Sequence, residues 1–540
     1  MGKMNLKINT IMNGWSAAQY FNSEGTFNSS VAIDPDFPIT ASAIRTSGFA
    51  VPVGYAKFSG ANVDTAVIAQ ITNPKDNNTY VVTVGGKLIS YNNTLGSETL
   101  VGTVAGSNAQ GAAYYNNYIY IFGTGASKDD VSRYGPLNNS PTLVDNVWKG
   151  VTLGSLTALT NTAYAAFRGV TIPNHWAHVH PGDNALYFCD FKNGQGFLNK
   201  IKTSKTTNEG DTNNGSAYQV LSLPFGFYPT DIESYNITDV VVVGFQTTDT
   251  TVDQGNAFAI FWDTTNTTAF YRNIPIPDPM ATAIVNTNGI LLIWSGNAIN
   301  GIRLSKYVGG DQLHEVVYQE EGTPPFQGAV AIKGNRVLWG GWMTYPIASS
   351  VVFAINSKNL RLGSSLASPY SNPQAIQCIA TPSTTGATQI ITALKFVQQS
   401  SNIQPKIIIA WRDASVAYGI DQYSATATLS SVMRWMFNVG KKFKITRIRI
   451  PLAGVVNAST TITPLIYIDD LSTTFSSLNV INNTNYPSAR KVIYRTPQLT
   501  NATGQNNFIF ELTWTNTNPL PAAFPIMIDL EIFDDEPDSF

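Results

Sequence analysis

Short apolar runs come in pairs along most of this chain, each pair divided by a turn rich in Gly, Asn or Asp. The pairing is visible in YVVTVGGKLISYNN (80–93), NNYIYIFGTGASKDDVSRYG (116–135) and NALYFCDFKNGQGFLNKIK (184–202). It returns in DVVVVGFQTTDTTVDQGNAFAIFWDTTN (239–266), NGILLIWSGNAINGIRLSKY (288–307), NRVLWGGWMTYPIASSVVFAINSKN (335–359) and PKIIIAWRDASVAYGIDQYS (405–424). β-Branched and aromatic residues fill the runs, so each copy predicts a β-hairpin. An isolated hairpin cannot bury its faces, whereas a ring of stacked four-stranded units covers them and leaves only short edges. The copies begin roughly 40–70 residues apart, close to the ~40–50 of a propeller blade with loop insertions. Together they predict an all-β fold: a six- or seven-bladed β-propeller over residues 46–428, preceded by an N-terminal arm or first propeller strands over 1–45. Helical periodicity is confined to SSVMRWMFNVGKKF (430–443), where Gly440 interrupts it.

After about residue 430 the runs lengthen and alternate strictly, a pattern that leaves one face wet and one buried. KFKITRIRIPLAG sets Lys444, Thr446 and Arg449 against Ile445, Ile448 and Ile450, with a register shift between them. ITPLIYIDD, SARKVIYRTPQL, NNFIFELTWT and FPIMIDLEIFDD follow in the same style. Residues 432–540 are therefore expected to form a separate antiparallel β-sandwich ending in an acidic, solvated tail.

Composition narrows the chemistry. Only 13% of the 540 residues are charged, against about 25% in ordinary soluble proteins, and the formal net charge is -2. A surface of this kind offers no basic field to a phosphate backbone, so specific nucleic-acid binding is not expected. Cys189 and Cys378 sit inside apolar runs, as small buried thiols do, and two cysteines make no disulfide framework. The opening residues contain no apolar signal core, and no run approaches the ~20 residues that cross a bilayer. Synthesis in a cytoplasm without a signal peptide or membrane segment is the expectation.

Three of the four histidines fall in NHWAHVHPGDNALYFCDF (174–191). Period 2 on a strand puts His178 and His180 on one face with Trp176, and His175 on the other. Three zinc ligands must converge at ~2.0–2.1 Å, so a regular strand predicts hydrogen-bonded histidines at a blade edge rather than a metal centre. Asp190, Asp263 and Asp413 follow apolar runs and could pair across a channel as a glycosidase requires. Turn carboxylates bonding local amides are the expected reading. The Ser-x-Asp-x-Gly-x-Thr-Trp turn of sialidase propellers, a Gly-x-Ser-x-Gly nucleophile elbow and a phosphate loop are all missing from the sequence. NTNG (286–289) reads as a tight turn, its neutral side chains being poor ligands for a hard cation. No catalytic residue, metal ligand or cofactor is expected. The loop GGWMTYP (340–346) offers Trp342 and Tyr345 as a binding pair on which a sugar ring could stack.

NGWSAAQYFNSEGTFNSSVAIDPDFPITASAIRTSG (13–48) resembles the opening of β-propeller proteins of tailed bacteriophages, in which a Gly-aromatic segment, a Ser-Phe turn and an IDP step lead into the first blade. GKKFKITRIRIPLAG, PLIYIDD, NNFIFELTW and PIMIDLEIFDD are similar to their terminal sandwich. The resemblance implies a virion structural protein of the tail, in its tube, nozzle or tip, forming a homo-oligomeric ring with neighbouring tail proteins as partners. It carries no catalytic residue over. Two alternatives accompany it: a receptor-binding tail protein that recognises a host-surface glycan, and a polysaccharide-cleaving propeller enzyme.

Overall fold

The computed structural model describes residues 2–8, 14–15, 26–27, 29–31, 48–50, 55–92, 95–123, 131–148, 153, 175–202, 215–246, 255–265, 269–297, 301–319, 325, 327–343, 349–357, 376–380, 390–397, 406–413, 417–423, 429–452, 461–469, 474–475, 478–516, 521–523 and 526–533. Among these residues the regular secondary structure is almost entirely β-strand, arranged largely in four-stranded antiparallel sheets. The chain packs as two compact units: Lys57–Thr344 with Thr384–Gln422, and Met1–Ala56 with Tyr345–Ser383 and Tyr423–Phe540.

In the first unit, five four-stranded meanders follow one another. Their leading strands are Val67–Thr72, Gly111–Tyr115, Ala177–His180, Phe227–Ser234 and Ala281–Thr287. A hairpin of Val330–Lys333 and Arg336–Met343 comes next, then a last group of Ile390–Val397, Lys406–Arg412 and Tyr418–Tyr423. The edge of that last group is covered from far upstream. Lys57 Nζ donates to the Tyr418 carbonyl at 2.8 Å, and the N–H groups of Phe58 and Ser59 donate to the Ile420 carbonyl at 3.0 and 3.4 Å. The sequence hairpins supply the second and third strands of these sheets, as in Thr79–Thr83 with Lys87–Tyr91 and Asp239–Gln246 with Asn256–Asp263. The copy at 335–359 is divided between the two units, as Arg336–Met343 and Ser349–Asn356.

The absence of alternation in these runs has a packing cause. Successive side chains of a strand point to opposite faces, and here both faces meet another sheet. In Asp239–Gln246, Val240 and Val242 pack with Tyr187, Leu198 and Trp262, while Val241, Val243 and Phe245 pack with Phe261, Ile284 and Ile293. In Ala185–Lys192, Leu186 and Phe188 join Tyr120, Phe122 and Trp148, and Tyr187 and Cys189 face the other way toward Val240 and Ile260. Phe122 stacks on Phe188 at 4.2 Å between ring centres, an arrangement that contributes ~0.5–1.5 kcal/mol beyond area burial. The last group packs on the first sheet through Ala393, Ile408 and Ala410 against Val67, Val81 and Ile89, so the series of cores returns to its start.

The second unit holds two five-stranded sheets. One runs Gly2–Ile8, Ile526–Ile532, Phe443–Pro451, Lys491–Tyr494, with Thr503–Gly504 also on Phe443–Pro451. The other runs Thr474–Phe475, Thr461–Ile468, Asn507–Asn516, Leu429–Asn438, Ser29–Val31. Alternation is kept: Ile445, Ile448 and Ile450 are buried, and an irregularity between Ile445 and Arg447 produces the register shift read in the sequence. Phe443 of one sheet and Phe508 of the other lie 5.4 Å apart.

Two segments take a geometry that the sequence pattern left open. The stretch with helical spacing, 430–443, contains the strand Leu429–Asn438, which pairs with Asn507–Asn516 over all its residues and buries Met433 and Trp435. Ten inter-strand pairs outweigh the weak local helical preference. Within 1–45, Gly2–Ile8 pairs with Ile526–Ile532 and Ser29–Val31 with Leu429–Asn438, so these strands belong to the C-terminal sheets. The first unit instead takes its N-terminal contribution from Lys57 onward.

Candidate functional site

A group of ionisable side chains bridges the leading strands Ala177–His180 and Phe227–Ser234. The turn Pro181-Gly182-Asp183-Asn184 allows it. A Cβ on Gly182 would stand 1.7 Å from the Ile237 carbonyl and 2.7 Å from His180 Nε2, so only glycine lets the next sheet come this close. Asp183 fixes the turn, accepting from Tyr187 Oη at 2.8 Å and Lys200 Nζ at 2.6 Å. Burial alone would raise its pKa, and these donors, Lys200 foremost, outweigh burial and hold it below the usual carboxylate range.

Ser234 Oγ lies 2.8 Å from both His178 Nε2 and His180 Nδ1. His180 Nε2 is 3.0 Å from the Ile237 carbonyl, which can only accept, so Nε2 carries the proton and Nδ1 of the neutral ring accepts. Ser234 then donates to His180 and accepts from His178 Nε2–H, a proton that also faces Glu233 Oε1 at 3.2 Å. The neutral state of His180 agrees with its burial, which lowers its pKa against the pull of Asp183. Glu233 is shifted upward by burial, only partly offset by His178.

Asp231, two residues earlier on the same strand, is fully buried. Its oxygens accept from the N–H groups of Ile232 at 2.7 Å and Ile284 at 2.8 Å, tying this sheet to the next. Desolvation drives its pKa well above the ordinary value, although those two amides and the Gln327 side chain oppose it. Thr230 Oγ1 adds a 2.7 Å bond to the Ala281 carbonyl. This group can share protons and clamp adjacent sheets. Ser234 is 6% exposed and both histidines occupy its hydroxyl, so it is built as a clamp and not as a nucleophile.

The residues singled out in the sequence separate accordingly. His178 and His180 do converge, on Ser234 of the following sheet, while His175 is buried on the other face with Nδ1 3.0 Å from the Cys189 carbonyl and 3.7 Å from Asp190 Oδ1. Asp263 accepts from Thr265 N–H and Oγ1, and Asp413 from Ala417 N–H at 2.8 Å, so both are turn carboxylates. Asp190 is not: it lies inside Ala185–Lys192, fully buried. NTNG is a tight turn in which Gly289 N–H donates to Asn286 Oδ1 at 2.9 Å. Cys189 is fully buried, and burial pushes its thiol well up, leaving it an inert apolar filler. Trp342 lies on Arg336–Met343, and Tyr345 falls outside the described residues. Asp231, Glu233 and Gln327 went unnoticed in the sequence. For Asp231 and Glu233 the signal was TDIES (230–234), a polar cluster where the neighbouring runs are apolar, whereas Gln327 lies far along the chain in PFQGAV with no such mark.

No protein-family model matches this chain, and no curated protein does either. Among solved structures it is similar to the WD40 repeats of RRP9 at 10% identity, with a TM-score of 0.42, covering 69% of this chain and 98% of that one. It is also similar to a chain of a nidogen/laminin complex at 11% identity, with a TM-score of 0.29, covering 45% of this chain and 76% of that one.

Proposed function

We propose that this chain is a structural component of a bacteriophage tail, in its tube, nozzle or tip, that assembles as a closed ring with copies of itself and neighbouring tail proteins. In this reading it is a seven-bladed propeller followed by an antiparallel β-sandwich. One observation carries the assignment. The two sequence segments on which the resemblance rests lie far apart in the chain yet belong to one compact unit. Ser29–Val31 pairs with Leu429–Asn438, and Gly48–Ala50 with Pro521–Ala523. A device that binds the N-terminal arm into the terminal sandwich supports their being parts of one architecture, as in the phage proteins they resemble. The sparse charge supports assembly through polar, shape-complementary surfaces.

The test is negative-stain electron microscopy of the purified recombinant chain, with solution mass measured on the same sample. Closed rings of several copies are expected. A monodisperse monomer at every concentration up to the solubility limit counts against a self-assembling ring. Binding of that monomer to host-surface polysaccharide would then favour the receptor-binding alternative.

A further inference from the structure

The core shared by the last strand group and the first sheet contains polar groups that meet no partner among the described residues. Ala393 and Val397 of Ile390–Val397 both belong to this core. Lys395 stands between them in unbroken register, opposite Ile408, another member, so its side chain enters the same face. Across the interface, Gln70 is paired with Val81 and Thr72 with Thr79, which in turn pairs with Tyr91. Val81 and Tyr91 are members of the same core, so Gln70, Thr72 and Thr79 face Lys395's side of the gap. The two leading strands converge at their start, where the Ile68 and Thr392 carbonyls both crowd Gly328.

Gln70 is 6% exposed, and neither its amide nitrogen nor its oxygen meets a hydrogen-bond partner among the described residues. Thr79 is fully buried with an unmatched hydroxyl, and the Thr72 hydroxyl is in the same position. Lys395 is half-buried and makes no ion pair or hydrogen bond with any described residue, and desolvation lowers its pKa from the ordinary value. Glu98, at the Tyr91 edge of the core, has its oxygens occupied by Gly60 N–H, Asn62 N–H and the Tyr91 hydroxyl. Buried polar groups in native proteins are nearly always bonded, to ligand or water if not to protein. Here the buried unmatched groups are three neutral ones, from Gln70, Thr72 and Thr79, and the half-buried Lys395 on the same face adds a cation with no carboxylate among the described residues paired to it.

We propose that this gap between the first and last sheets binds a small oxyanion, held by the Lys395 ammonium, the Gln70 amide N–H and the hydroxyls of Thr72 and Thr79. Gln70 Oε1 remains to accept from the ammonium or from an O–H of the ligand. Phosphate and a small carboxylate share this chemistry. They are distinguished by titrating the full chain separately with inorganic phosphate and with acetate, at constant ionic strength against sodium chloride, with thermal unfolding and calorimetry as readouts. The melting temperature is expected to rise with one of the two oxyanions and not with chloride. Lys395→Met should abolish that response, Lys395→Arg should retain it, and Gln70→Met should weaken the affinity about tenfold or more. If Lys395→Met does not fold, the Gln70→Met and Lys395→Arg variants carry the test. Equal melting temperatures in all three salts, or a response that survives Lys395→Met, would overturn the proposal and leave ordered water as the occupant.

Discussion

Gly328 gives the sharpest test of how the sheets close on one another. It lies in the 3-10 turn Gln327–Ala329, which leads into Val330–Lys333. A Cβ added there would stand 2.6 Å from the Ile68 carbonyl oxygen and 2.9 Å from that of Thr392. Both obstacles are backbone atoms of strands anchored in different sheets, so neither can swing away as a side chain tip would. Restoring ordinary C···O contact requires the turn or a strand to move by about half an ångström or more, which is overpacking of the kind that costs ~1–3 kcal/mol. Gly328→Ala is therefore expected to lower the melting temperature. The scale is ~2–4 °C per kcal/mol for domains of 150–250 residues, and somewhat less for this larger unit. Differential scanning calorimetry of the recombinant chain reads the shift. Gly334→Asn is the control: Gly334 has φ 59° with nothing within 4 Å, and Asn tolerates that conformation. If Gly328→Ala melts with the wild type, the close approach of the two leading strands to this turn is wrong.

Other consequences follow from the same structure. Arg434 and the nearly buried Glu511 form an ion pair, so Arg434→Met alone should destabilise by ~3–5 kcal/mol, while Arg434→Met with Glu511→Leu should recover most of it; denaturant midpoints decide. Burial keeps His180 neutral below its ordinary 6.5, so as pH falls through that value the unfolded chain takes up the proton first and stability declines. His180→Gln should flatten the loss of melting temperature between about pH 7 and 5, and equal slopes in the two proteins would sink this account. Glu98 is opposed by burial but held below the carboxylate range by Tyr91, Gly60 and Asn62. Its contribution is thus present at neutral pH and lost as pH falls through its folded pKa. Glu98→Gln should cost ~1 kcal/mol near pH 7 and progressively less on acidification, measured by urea unfolding.

The hairpins were legible because their turns carry Gly, Asn and Asp at positions that need them: Asn193 and Gly194, and Asn288 and Gly289, all adopt positive φ between paired strands. Face assignment in the first unit was not legible. When Val240 to Val243 are all buried, no polar residue marks which side meets which neighbour. The C-terminal strands were easier for the opposite reason, since Lys444 and Arg447 keep one face wet. Leu429–Asn438 carries mixed spacing in Met433, Trp435, Met436 and Phe437, and its partner strands impose the period of 2. The histidine pair was readable from spacing on one strand. Their shared partner Ser234 and neighbour Glu233 were not, because they lie more than fifty residues away on the next sheet.

Gly2–Ile8 pairs residue for residue with Ile526–Ile532. That register sets an order of events during synthesis. At ~5–20 residues per second, the ribosome takes about half a minute to two minutes to deliver the partner of a strand made more than five hundred residues earlier. The sheets from Val67–Thr72 through His314–Gln319 draw all their strands from consecutive chain and can form as they appear. The sheet containing Gly2–Ile8 can be finished only after nearly everything else has been made, with Met4 and its neighbours waiting as an unpaired edge that a second nascent copy could capture.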